Sequence, residues 1–405
     1  MRDWGGGFGG EGVFDYLCGD EISFAVMKYF LIAGEASGDI HASQLIRALK
    51  AHDDEARFEF LGGDLMADAA GVEPVIHYRD MAFMGFIEVL KHLKSIMGFM
   101  KTAKQRIAAE RPDALILVDY PSFNLKMAKY AHKRGIPVMY FISPKVWAWK
   151  EYRVKSIKKY VDRMFSILPF ETAFYAKHDY KVNYVGNPTV KEIEEQRSRF
   201  GSREEFGKKN LLDERPIVAL VPGSRRKEIR DNLPSMITAA SRHEGYQLVI
   251  AAAPNIDESL YREVMEPLGM QVKLVHHQSF ELIHHARAAL VTSGTATLET
   301  AILGTPQVAC YRMNGSKWLF KFYRKLIKGK YVTLPNLIVD DAIIPELLLH
   351  MCTPDTIDAH LTPLLTESAE RQTMLEGYRR MQAILTTQDC TDNTAHLIIE
   401  ALTSK

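Results

Sequence analysis

From Lys28 onward, short aliphatic and β-branched runs alternate with segments of helical period, and this alternation restricts the fold more than any other feature. "KYFLIA", "RFEFLG", "ALILVD" and "PVMYFIS" each precede a helical pattern. A second series runs through "IVALVPG", "YQLVIAAA", "VKLVHH", "AALVTSG" and "PQVACY". Strands this apolar on both faces belong in parallel sheets covered by helices on either side. Lys191 to Pro216 lies between the series, charged and without long apolar runs, and reads as a linker. The expected fold class is α/β: two doubly wound Rossmann-like domains facing across a cleft, followed by C-terminal helices. The expected bounds are 27–190 for the first domain, 191–216 for the linker and 217–366 for the second domain. The helices of 367–405 would pack back on the first domain or on a partner subunit. Residues 1–26, glycine-rich and acidic, read as a disordered extension and a poor signal peptide.

The 405 residues suffice for two domains that each bury a core. A formal net charge of +1 removes any bulk-charge argument for nucleic acid. The four cysteines are far apart and show no zinc spacing, which suits a reduced cytosolic protein. No apolar run approaches the roughly 20 residues of a spanning helix.

Ligands of doubly wound sheets sit beyond the carboxyl ends of strands, so motifs at those ends carry most weight. In "LVTSGTATLE", Gly294 opens a helix after a buried strand. Amides at Thr295 and Ala296, with the helix dipole, suit a diphosphate without any cation. Glu299, one turn on, suits the vicinal hydroxyls of a ribose. The alternative is an ordinary helix capped by Ser293 or Thr295. "LVPGSRRKEI" ends a second strand with Ser224 and Arg225, a hydroxyl and a forked, permanent cation. Arg226 and Lys227 read as solvated charges. Two strand-end anion sites in one domain point to a nucleoside diphosphate as a leaving group.

The first half carries different chemistry. "LIAGEASGD" places Gly34, Glu35, Ser37 and Gly38 at a strand end, with spacing that breaks the dinucleotide fingerprint. The alternative there is a glycine turn with Asp39 capping a helix. "ALILVDYPSFN" puts Asp119 just past an apolar strand, as a general base or as the cap of the helix entering at Pro121. Trp147 and Trp149 of "SPKVWAW" either line a pocket or pack. No acid pair stands out as a metal site, Asp340 and Asp341 read as surface, and no cofactor is expected.

Together "AGEASGD", "VDYPSFN", "SPKVWAW", "VPGSR", "TSGTATLE" and "LPNLI" resemble the lipid-A-disaccharide synthase family, from about Met27 to the C-terminus. The resemblance implies an inverting, metal-independent glycosyltransferase of the B-type fold. Such enzymes move a diacylated glucosamine from UDP to the 6-hydroxyl of a diacylated glucosamine 1-phosphate. Asp119 would be the base, in an acceptor-binding first domain. Ser224, Arg225, the Gly294 helix and Asn336 would hold UDP in the second. "VGNPT" departs from the family pattern, with Asn187 where relatives often carry histidine. Asn187 is therefore assigned no catalytic part. The rival readings are a UDP-amino-sugar epimerase of the same fold and a non-catalytic nucleotide-sugar or lipid-binding protein.

Both implied substrates are lipids, which asks for a membrane-facing surface. The Met84 to Met100 segment sets Phe86, Val89, Leu90, Leu93, Ile96, Met97 and Met100 on one helical arc. In "SKWLFKFYRKLIKGKY", Lys321, Arg324 and Lys325 fall opposite Trp318. Basic amphipathic helices lie on anionic membrane surfaces, although apolar faces also pack into their own domains. Peripheral contact with the inner face of the inner membrane is the expectation, with a homodimer as one assembly considered.

Overall fold

The computed structural model describes residues 26–81, 93–312, 330–385 and 389–404, without the side chains of Leu93 and Trp149. The expected pair of doubly wound parallel sheets is present. The first joins β1 (Lys28–Ala33), β2 (Arg57–Gly62), β3 (Ile76–His77), β4 (Ala114–Val118), β5 (Val138–Phe141), β6 (Arg163–Ser166) and β7 (Asn183–Tyr184). Their order is β3-β2-β1-β4-β5-β6-β7. The second joins β8 (Ile217–Val221), β9 (Gln247–Ala252), β10 (Lys273–His276), β11 (Ala286–Thr292), β12 (Gln307–Tyr311) and β13 (Glu346–Leu348), ordered β10-β9-β8-β11-β12-β13. The order reverses between β1 and β4 in one sheet and between β8 and β11 in the other. Crevices form at such switch points because successive crossovers leave on opposite faces.

Residues 28–33 and 114–118 of the central strands are almost wholly buried, as strands covered on both faces must be. Each sheet holds a core on both sides, for example Leu31, Ile116 and Phe141 on one face and Phe30, Leu115 and Tyr140 on the other.

The stretch read as a linker carries two helices, Pro188–Arg197 and Arg203–Lys209. Asn187 caps the first: its Oδ1 accepts the Thr189 amide at 3.0 Å, and its Nδ2 donates to the Ile167 carbonyl at 3.0 Å. Val190 and Ile193 of that helix join the core of the second sheet. The chain then divides its last helices. Met374, Tyr378 and Met381 of Ala369–Ile384 enter the second core, whereas Cys390, Ala395 and Ile398 of Cys390–Thr403 enter the first. Asp389 caps that final helix and pairs with Lys191 at the start of the Pro188 helix at 2.5 Å, tying the tail to the crossing point.

Candidate active site

At the first switch point, strand register brings two motifs together. Ala33 pairs with Val118, so Gly34 and Asp119 leave adjacent strands side by side. A Cβ on Gly34 would stand 2.3 Å from the Tyr120 ring, which explains the glycine. Asp119 and Tyr120 both adopt left-handed backbone, at φ 43° and 46°. Such conformations cost roughly 1–3 kcal/mol each outside glycine and persist only where surroundings enforce them. The enforcement is visible. The Asp119 amide donates to the Phe141 carbonyl at 3.2 Å, and its carbonyl accepts Asn124 Nδ2 at 2.8 Å and the Tyr140 hydroxyl. Asn124 is fully buried and also donates to the Val118 carbonyl, while the Tyr120 hydroxyl reaches the Met81 carbonyl at 3.1 Å.

This clamp fixes Asp119 in a desolvated place. Burial, then the negative charge of Glu35, raise its carboxyl to about 6; Lys145 and the Tyr120 amide oppose that rise. The capping alternative fails, since Tyr120 is the N-cap of Pro121–His132 and no side chain caps that helix. Glu35 and Ser37 are exposed, and Gly38 lies under Ala33. Asp39 caps, but not its own helix: it accepts the amides of Gly63, Leu65 and Met66 at 2.8–3.2 Å, closing the N-terminus of Asp64–Ala70.

"SPKVWAW" follows β5. Trp147, expected either to line a pocket or to pack, packs. Its Nε1 donates to Glu171 Oε1 at 3.0 Å, and its ring meets Phe170 edge-on and leans on the second core. Trp149 ends the short helix Val146–Trp149, and its side chain lies outside the described residues. Glu171 was missed by sequence reading. It is fully buried, with donors from Ser166 and Trp147, and burial pushes its carboxyl up to about 8. At neutral pH it is mostly protonated, which removes the cost of a buried charge.

The second switch point gathers the anion motifs. Leu220 and Val221 of β8 pair with Leu290 and Val291 of β11, so the Ser224 turn and the Gly294 turn are neighbours. Gly223 turns at φ 103°, and a Cβ there would meet Glu228 Oε2 at 2.5 Å. Glu228 is a second residue the sequence reading missed. Its Oε2 accepts the Ser224 and Arg225 amides at 3.3 Å each, and its Oε1 pairs with Arg225 Nη1 at 3.1 Å. The Arg225 side chain is otherwise 72 % exposed. Lys227, expected as a solvated charge, has an exposed side chain whose ammonium pairs with the buried carboxylate of Asp231.

The helix Thr295–Leu303 starts at Gly294 with no side-chain cap, contrary to the alternative of Ser293 or Thr295 in that role. Glu299 is held near 7, first by burial and then by Glu192 across the helix pair. Asn336 is buried in the first turn of the short helix Leu334–Val339. Its Nδ2 donates to the Ile344 carbonyl and to Glu346 Oε1, and its Oδ1 accepts the Ile344 amide, all at 2.9–3.0 Å. A buried amide satisfied on both sides shapes its own loop. Asp341, read as surface, pairs with Arg380 at 2.8 Å.

Phe86, Val89, Leu90, Trp318, Lys321, Arg324 and Lys325 lie outside the described residues. Met97, on the helix Leu93–Glu110, is 55 % exposed, while Ala103 and Ile107 of the same helix are buried. Among the described residues no helix is long and apolar enough to cross a membrane.

The family model for lipid-A-disaccharide synthetase matches residues 29–399. A lipid-A-disaccharide synthase of Myxococcus xanthus is 37% identical over 381 residues, spanning 93% of this chain and 97% of the relative. One from Acidobacterium capsulatum is 38% identical over 374 residues, spanning 88% and 92%. Among solved structures, UDP-GlcNAc 2-epimerase of Neisseria meningitidis bound to UDP-GlcNAc superposes at a TM-score of 0.61. It is 13% identical and covers 94% of this chain and 100% of that one. The glycotransferase of kitacinnamycin gives 0.59 at 15% identity, covering 93% and 100%. At such identities the structural likeness speaks to the fold alone.

Proposed function

The chain belongs to the lipid-A-disaccharide synthetase family, and on that premise we propose how its two switch points divide the work of glycosyl transfer. Its reaction is the joining of two lipid-linked sugars with release of UDP. The donor is a diacylated UDP-glucosamine and the acceptor hydroxyl is the 6-hydroxyl of a diacylated glucosamine 1-phosphate. Asp119 takes the proton from that hydroxyl as its oxygen bonds to the anomeric carbon of the donor. The bond from that carbon to the UDP oxygen breaks on the opposite side, its electron pair leaves with UDP, and configuration inverts.

The observation that carries this reading is the Asp119 carboxyl, clamped at a strand end and raised to about 6. A base near 6 is mostly ionised at neutral pH yet stronger than a solvated carboxylate. Charge building on the leaving diphosphate meets Arg225, paired with Glu228 in the free enzyme, and the amides of the Thr295 helix, which has no side-chain cap. Glu228 holds the Ser224 and Arg225 amides in the free enzyme; a diphosphate displaces it by offering those donors more charge. Gly34, Glu35 and Ser37 border the acceptor side, and Glu299 the ribose. Ser224 completes the anion site.

The epimerase alternative is supported only by distant structural likeness, whereas the family match spans nearly the whole chain. Because amides and arginine supply the positive charge, transfer needs no divalent ion. Acceptor-dependent UDP release should therefore proceed undiminished in excess EDTA. Loss with chelator and recovery with magnesium would refute this division of roles. The enzyme meets its lipids as a peripheral protein at the inner face of the inner membrane. Met97, one of the residues of the expected apolar arc, is exposed, which supports a peripheral contact.

A further inference from the structure

The acceptor carries its own anion, and its chemistry limits where that anion can sit. In a glucosamine 1-phosphate, carbons 1 and 5 flank the ring oxygen, and the 6-hydroxyl hangs from carbon 5. A phosphate on carbon 1 is thus one sugar ring away from the hydroxyl that reacts. Whatever recognises it must lie within that reach of Asp119, on the same side of the protein.

The segment after β5 supplies such groups. Lys145 is exposed and close enough to Asp119 to hold its carboxyl down. Lys150 and Arg153 follow, joined through a 3.1 Å or shorter backbone turn: the Lys150 amide donates to the Val146 carbonyl, and the Arg153 amide to the Lys150 carbonyl. Arg153 Nη2 donates to Ser122 Oγ at 3.1 Å. Ser122 is exposed in the first turn of Pro121–His132, the helix that begins two residues after Asp119 without a side-chain cap. Arg153 also bears electrostatically on Tyr140, whose hydroxyl holds the Asp119 carbonyl. Two of the three cations therefore touch, or act on, the same few residues that fix the base.

The electrostatics of Lys145 and Arg153 are unbalanced. Among the described residues neither Lys145 nor Arg153 forms an ion pair with an acid. Lys150 is held below its usual value by burial and then by the charge of Arg153. Like charges drawn together beside the positive end of a helix cost energy in the free protein, and a dianion would repay that cost. The acids near this group are Asp119 and Glu35 beside Lys145, and the mostly protonated Glu171, on which Lys145 acts electrostatically. A further acid, Glu151, follows Lys150 and pairs with His178 at 3.3 Å, and Arg153 meets Ser122 rather than an acid.

We propose that Lys150, Arg153 and the Ser122 turn, with Lys145 beside the base, bind the phosphate of the acceptor sugar and so set the register of its 6-hydroxyl against Asp119. This rests on the glycosyl-transfer reading above and names the specificity of that same site. Arginine provides the fork that two phosphate oxygens require, and the helix amides add fixed donors.

The test compares two acceptors in neutral detergent micelles free of anionic lipid: diacylglucosamine 1-phosphate and the same lipid with a free 1-hydroxyl. The readout is the ratio of kcat/KM for the first over the second. Arg153→Gln and Lys150→Gln should each lower that ratio by about tenfold or more, in keeping with lost hydrogen bonds to a charged group. Arg153→Lys should recover only part of it, and the dissociation constant of UDP should stay as in the wild type. Thermal melts and UDP titration show whether each variant is folded. An unchanged ratio, or an equal loss on both acceptors, overturns the proposal. A weakened UDP affinity would assign these cations to the donor instead and also overturns it. Absence of transfer by the wild type on either acceptor contradicts the glycosyl-transfer reading itself.

Discussion

Asp119→Asn lowers kcat by about 10²–10⁴, the usual effect of removing a general base, while UDP binds as before. The side chain keeps its size, so the clamp from Asn124, Tyr140 and the Phe141 carbonyl stays in place. What disappears is the group that takes the proton. The pH profile supplies an independent check. In the wild type kcat/KM should rise about tenfold per unit below the carboxyl value and level off above about 6. The residual rate of the asparagine variant should lack that limb.

Stability gives a third readout with a definite sign. The folded carboxyl titrates near 6, above its ordinary 3.8. Between those values the native state holds more protons than the unfolded one, so stability falls as pH rises from about 4 to about 6. Asparagine cannot ionise and escapes that loss. At pH 7 to 8 the variant should therefore melt no lower than the wild type, although it is nearly inactive. A melting temperature several degrees lower would mean that the carboxylate supports the fold rather than the chemistry.

Arg225→Ala should weaken UDP binding by about tenfold to a hundredfold, the loss expected for a charge-assisted fork. Turnover should fall further, by about 10²–10³ in kcat/KM, because charge on the diphosphate grows in the transition state. The loss has two parts. The guanidinium is gone, and Glu228, which it neutralises at 3.1 Å, keeps the Ser224 and Arg225 amides but loses its cation and so repels the diphosphate. Arg225→Lys restores charge but not the fork, so recovery should be partial. Calorimetric titration giving the same UDP affinity for wild type and alanine variant would take Arg225 out of the site.

What the sequence disclosed and what it hid follow from the range of the interactions. Parallel strands buried on both faces leave apolar runs such as "ALILV" that need no partner to be recognised. Asp119 was legible for the same reason, as a charge at the end of such a run. The turn glycines were legible as turns, but the Tyr120 ring that forbids a side chain at Gly34 comes from a distant strand end. Glu171 looked like any acid near a helix start. Its burial depends on Ser166 and Trp147, which converge only in the fold. That contact also decided Trp147 in favour of packing. The bonds of Asn336 to Ile344 were hidden for the same reason, since they form only when its own loop closes. Glu228, three residues after Arg225, had the spacing of a capping acid and was there to be seen.

The central claim is that two lipid-linked sugars are joined by direct displacement of UDP. Its most direct measurement is UDP release from a diacylated UDP-glucosamine, followed with and without diacylglucosamine 1-phosphate. The account predicts release only when both lipids are present, in step with a β-1,6-linked disaccharide 1-phosphate. Conversion of the UDP-sugar alone to an epimer, or UDP binding with no acceptor-dependent release, would contradict it.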